Sequence, residues 1–199
     1  MTLSGPPWIT ALSHPTSEHY NLLAHNPNAN AWRPTLWLLV SGLLAGLLGS
    51  GAQYLSHQAE LRNLSVNELL LQLGPWLIGL MLSSLIGFIV IVTIQHLIAV
   101  RLGGKGTFGQ QAYVVGAITA PLLVLTVILA SPPIVNVIAP LIVLFGALMV
   151  INALRAVYGF GWLRALLSSF VVWLIVLVAL LAAIFYVLGP RIGDRKSVV

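Results

Sequence analysis

The residues best placed to do chemistry lie between positions 95 and 111. His96 precedes Arg101, and the run Leu102-Gly103-Gly104-Lys105-Gly106-Thr107 leads back into apolar sequence at Phe108. Glycines beside a lysine raise the question of phosphate binding. A nucleotide-binding loop places a glycine upstream of its Gly-Lys pair and Ser or Thr directly after the lysine. Here the upstream residues are the apolar Ile98-Ala99-Val100, and Gly106 follows Lys105, so the pattern fails at both places. Two readings remain. Exposed N–H groups of the turn, with Arg101 and Lys105, hold a lipid phosphate at a membrane interface, or the turn only lets its cations reach water.

The elements that must position these residues are set by composition. Hydrophobic residues make up 59% of the 199 and charged residues 7%, whereas a soluble domain carries about 25% charged residues. The chain therefore reads as an all-α polytopic membrane protein, since only helices or closed barrels satisfy the backbone in lipid. A span needs about 20 apolar residues. Five segments qualify, at about 35–54, 75–100, 108–130, 134–157 and 162–188. Trp32, Trp37, Tyr54, Trp76 and Tyr158 stand near their ends, as interfacial aromatics do.

Small residues mark where helices approach closely. Gly42 and Gly46 form one small-xxx-small pair, and Gly79, Ser83 and Gly87 repeat every four residues to form a second face. These fit packing within the chain or contact between copies. Pro121 and Pro140 fall inside spans and are expected to kink them. Asn136 and Asn152 read as interhelical hydrogen-bonding groups. His96 reads either as a proton relay or ligand, or as an interhelical bond to Gln110, Gln111 or Asn152.

Other chemistry is excluded. The four acids, Glu18, Glu60, Glu68 and Asp194, all lie outside the proposed spans, so carboxylate-coupled ion transport has no carrier. General-base catalysis in the membrane is left with His96 alone. The absence of cysteine removes thiolate sites and disulfides, and His14, His19 and His25 lack the spacing of a metal-ligand set. No catalytic residue, cofactor or metal is expected. The net charge of +5 sits at span ends, where it suits anionic headgroups and orientation rather than nucleic acid.

Outside the spans, residues 1–34 carry prolines and asparagines and are expected as an extended or loosely ordered tail. Residues 191–199 form a short basic tail. Glu60, Leu61, Leu64 and Leu69 have a spacing that suits a short helix on the membrane surface. Five spans place Arg33, Arg101, Lys105, Arg155 and Arg164 on one side and Arg62, Arg191, Arg195 and Lys196 on the other. The short interior loops of the first side hold most of its cations, which favours a cytoplasmic amino terminus; the basic carboxyl tail pulls the other way.

Three motifs in order carry a family likeness. His96 stands shortly before Leu102-Gly103-Gly104-Lys105-Gly106-Thr107-Phe108. The next span holds Gly116 and Pro121, with Ala117 where the pattern has tyrosine. Arg155, Gly159, Arg164 and Ala165 then form an arginine-glycine turn followed by a basic residue and alanine. On these motifs the chain resembles the Yip family (Ypt/Rab-interacting protein domain), in its compact prokaryotic branch, over about residues 35–190. The Asp-Leu-Tyr-Gly-Pro box of eukaryotic members is reduced to Leu73-Gly74-Pro75 here.

The residues and the resemblance imply a non-enzymatic membrane-organising factor or accessory subunit in a bacterial inner membrane. Its partners would be membrane lipids, anionic ones included, and another membrane protein or a second copy. Arg101, Lys105, Arg155 and Arg164 are the candidate lipid-phosphate or partner contacts. The alternative is a small-solute transporter or channel lined by Gln95, His96, Asn136 and Asn152.

Overall fold

Two local pairings start the helices that frame the glycine turn. Ser65 Oγ accepts the Glu68 backbone N–H while the Glu68 carboxylate accepts the Ser65 N–H at 2.8 Å. Thr107 and Gln110 form the same reciprocal box. Each box satisfies two N–H groups that a helix start leaves open. The computed structural model describes residues 5–57, 64–129, 135–175 and 178, with the backbone alone for 135–140.

The described helices are α1 (Pro7–Ser13), α2 (Ser17–Ala24), α3 (Trp32–Ser56), α4 (Val66–Arg101), α5 (Phe108–Ile128), α6 (Val135–Tyr158) and α7 (Trp162–Ile175). Four of them, α3 to α6, contain stretches long and apolar enough to cross a membrane, and α7 is a shorter apolar helix over its 14 described residues. The architecture is a polytopic helical bundle. The turn at 131–133, the later part of the fifth expected span and the basic tail at 191–199 lie outside the described residues.

The bundle is built around α5. Its residues from Gln111 to Ile118 are all buried, with α3 packed across α4 and α5, and α6 packed on α5. Gly42 and Gly46 sit where α3 crosses α4. A Cβ at Gly42 would lie 2.8 Å from the Met81 Cα, and one at Gly46 2.8 Å from the Leu77 Cα. Gly116 plays the same part between α5 and Pro34, at the start of α3. Gly79 and Gly87 differ: a Cβ at either would meet nothing within 4 Å. The expected second face of small residues therefore makes no close approach to the described residues.

Two expectations are corrected. The first concerns the amino-terminal segment, which is folded from Gly5 onward instead of extended. Its prolines stand at helix starts and in turns, where a missing N–H costs little, and Thr16 caps α2 through the His19 N–H. Ala11, Tyr20, Leu23 and Ala24 are buried in one cluster with Tyr113, Met149 and Leu154. The Tyr20 hydroxyl donates to the Ala11 carbonyl at 3.1 Å, and Asn152 Nδ2 donates to the Pro15 carbonyl at 3.4 Å. This pair of helices caps the ends of α5 and α6.

The second concerns the surface helix. Residues 58–63 lie outside the described residues, and residues from Val66 onward form the first turns of α4 itself. With 36 residues, α4 is about 54 Å long at ~1.5 Å per residue, against roughly 30 Å of hydrocarbon. Pro75 lies within it, and Pro121 lies within α5, which likewise continues past it.

Candidate functional site

The turn after α4 is shaped by its glycines. Gly103 takes φ of +87°, a left-handed conformation that side-chain-bearing residues avoid. The Gly104 N–H donates to the Ala99 carbonyl at 3.0 Å, which closes the helix end. The next two glycines serve a different purpose, because the turn lies directly against the end of α6. A Cβ at Gly104 would lie 2.5 Å from the Tyr158 ring, and one at Gly106 2.5 Å from the Val157 carbonyl oxygen. Gly159, at φ +68°, ends α6. The two turns of the likeness, far apart in sequence, thus form one contact.

Beneath that contact runs a chain of polar side chains. His96 Nδ1 and the Tyr158 hydroxyl are 2.5 Å apart, the Tyr158 hydroxyl donates to Gln111 Oε1 at 2.6 Å, and Gln111 Nε2 donates to Gln95 Oε1 at 2.9 Å. A phenol has one proton, so His96 must carry its proton on Nδ1 and donate to the Tyr158 oxygen. Every link then points from His96 toward Gln95. Turning both amides over and moving the histidine proton to Nε2 would reverse every link. Gln95, Gln111 and Tyr158 are buried and His96 is half-buried. His96 also meets the Phe108 ring edge-on, and Tyr158 stacks on Phe160.

The expected partners of His96 were Gln110, Gln111 or Asn152. Its actual partner is Tyr158, through which it reaches Gln111. Gln110 is occupied by the Thr107 cap, and Asn152 by Pro15 and Arg155. Tyr158 is the site residue that sequence reading missed; it reads there as an interfacial aromatic. The available signal was its place one residue before Gly159, in the turn that answers the glycine run. The side chain of Asn136 lies outside the described residues.

Four cations surround this assembly at one end of the bundle. Arg101 ends α4, Lys105 lies in the turn, Arg155 is in the last turn of α6, and Arg164 is in the first turn of α7. Arg101, Lys105 and Arg164 are exposed. Arg155 lies over the Trp162 ring at 5.5 Å, and its Nη1 donates to Asn152 Oδ1 at 3.3 Å. Its buried Nε makes no hydrogen bond among the described residues. Of the two described acids, Glu68 is in the first turn of α4, at its far end, and Glu18 is on the capping helix α2. Among the described residues, no group of three His, Cys, Asp or Glu could hold a metal ion.

A family model described as the Yip1 domain matches residues 9–184. The match begins within α1, so it takes in most of the folded amino-terminal cap as well as the span region from residue 35. No curated protein and no solved structure matches the chain.

Proposed function

The chain belongs to the Yip1 domain family, and we propose that this integral membrane protein is a non-enzymatic organising factor or accessory subunit that docks lipid and partner on its basic rim. The observation that carries this reading is a division of labour at one end of the bundle. The polar side chains under the rim bond to one another in a chain, through His96, Tyr158, Gln111 and Gln95 Oε1. The cations of Arg101, Lys105 and Arg164 above them stay exposed. A braced platform with free positive charge suits attachment to anionic headgroups or an acidic partner surface. A solute path has less support, because Gln95, His96 and Asn152 pair with protein groups.

The positive rim also supports a cytoplasmic placement of this face, and of the amino-terminal cap, in a bacterial inner membrane. The test is purification of the full chain in mild detergent with mass measurement. Co-purification of a membrane protein, or a stable oligomer, is the expected result. A strict monomer without a partner would overturn the accessory role.

A further inference from the structure

An apolar cleft lies below the basic rim, bordered by α4, α5, α6 and α7. Its volume is about 480 Å³, and its walls include Gly87, Ile118, Thr126, Gly146 and Trp173. The cleft exists because α4 and α6 both lean on α5 and make little direct contact with each other. Val143 and Trp173, on its borders, are 59% and 52% exposed, so it opens sideways, toward the surface that faces lipid.

One end of the cleft is polar. Gln95 lines it and is 2% exposed. In the arrangement in which His96 donates, the Oε1 of Gln95 is taken by Gln111 and its Nε2 has no hydrogen-bond partner among the described residues. This donor is not sealed inside the protein but borders the cleft, and in hydrocarbon an amide N–H without an acceptor is costly, so it calls for an acceptor brought by whatever fills the cleft. Gln95 lies six residues before Arg101, about 9 Å along the helix axis. Headgroup layers are roughly 5–8 Å thick on each side of the bilayer. A phosphate at the rim would therefore leave an ester carbonyl close to the depth of Gln95.

The cleft also has the length of one leaflet. From Gln95 to Ser83, both of which line it, α4 rises about 18 Å, against roughly 15 Å for half of the hydrocarbon core. Its lining hydroxyls do not compete for a ligand: Ser84, Thr119 and Thr126 each donate to a carbonyl of their own helix.

We propose that this cleft seats one acyl chain of an anionic phospholipid, with the ester carbonyl accepting from Gln95 Nε2 and the phosphate held by the rim cations. This deepens the lipid-contact part of the proposed function and rests on it. A second copy of the chain would offer hydrocarbon to the cleft, but it would leave Gln95 and the rim unanswered.

The test uses the full-length protein in phosphatidylcholine vesicles that contain a small fraction of lipid brominated in its acyl chains. The readout is quenching of Trp173, identified by comparison with Trp173→Phe. Brominated phosphatidylglycerol should quench about fivefold more effectively than brominated phosphatidylcholine, the factor that one favourable rim cation confers. Gly87→Leu places a side chain in the open cleft and should abolish that excess. Gly79→Leu, on the same helix but outside the cleft, should preserve it. Gly87→Ala, a smaller intrusion, should give a partial loss in a variant that needs no repacking.

Equal quenching by the two lipids, or an excess that survives Gly87→Leu, would overturn the proposal. Inorganic phosphate should lower the excess, because it competes for the same rim cations; an excess that it leaves untouched would also overturn the proposal. These readouts do not depend on a protein partner, so a monomeric, partnerless chain would defeat the accessory role and leave the lipid seat standing.

Discussion

His96 and Tyr158 are 62 residues apart in sequence, and their side chains meet at 2.5 Å beneath the glycine turn. The phenol passes the contact on to Gln111 and so ties the end of α4 to the start of α5 and the end of α6. A bond at that place does two things. It satisfies polar groups that lipid cannot solvate, and it holds the cations of three helix ends in one arrangement.

Tyr158→Phe keeps the ring that stacks on Phe160 but leaves Gln111 Oε1 and His96 Nδ1 without their partner. The expected loss is about 1–3 kcal/mol, the usual cost of an unmade buried hydrogen bond. Thermal unfolding in detergent would measure it. His96→Ala should cost less, since His96 is half-buried and the Tyr158 hydroxyl keeps its bond to Gln111. An equal or greater loss at His96 would mean that the histidine, not the tyrosine, holds the junction.

The glycines of the turn separate into kinds. Gly106→Ala drives a methyl into the Val157 backbone, and Gly104→Ala drives one into the Tyr158 and Phe160 rings. Each should lower stability by about 1–3 kcal/mol, the range for overpacking. Gly103→Ala should cost ~1–2 kcal/mol for its left-handed backbone alone. Gly79→Ala should be neutral or stabilising by up to ~1 kcal/mol, because it lies in a helix with open space around it. Denaturation midpoints of the four variants, compared side by side, would check the ordering.

The amino-terminal cap should loosen in alkali. Burial raises the Tyr20 hydroxyl well above its ordinary pKa, so the folded cap keeps its proton at a pH where the unfolded segment has lost it. Stability from this group is therefore fully present below about pH 10 and falls as pH rises beyond it. Protease sensitivity of residues 5–31 against pH would follow the change. Tyr20→Phe should remove the alkaline component while costing about 1 kcal/mol for the bond to Ala11.

Charge reversal tests the rim itself. Arg101→Glu combined with Lys105→Glu should cut co-purified anionic lipid roughly tenfold or more, at ~1 kcal/mol per cation near a headgroup surface. Mass spectrometry of the bound lipid, with phosphatidylcholine as the reference, gives the number. Unchanged lipid and partner binding would reduce the turn to a purely structural element.

Much of the architecture follows from the sequence alone, for a physical reason. Runs of about 20 apolar residues can be stable only in hydrocarbon, and in hydrocarbon only a helix satisfies its own backbone. Gly42 and Gly46 could be read as a close approach on the same footing, because a missing side chain is a local fact. The capping boxes Ser65-x-x-Glu68 and Thr107-x-x-Gln110 were equally local, and the first would have put the start of α4 ahead of Pro75. What tertiary structure decided was pairing. Nothing in the spacing says that Tyr158, not Asn152, answers His96, that Gly104 and Gly106 exist to admit the end of α6, or that Gly79 and Gly87 face open space. The folding of residues 5–31 was hidden for the same reason. Prolines and asparagines argue for a loose tail only until Tyr20 and Leu23 find a buried surface, and that surface is assembled from α5 and α6, more than eighty residues away.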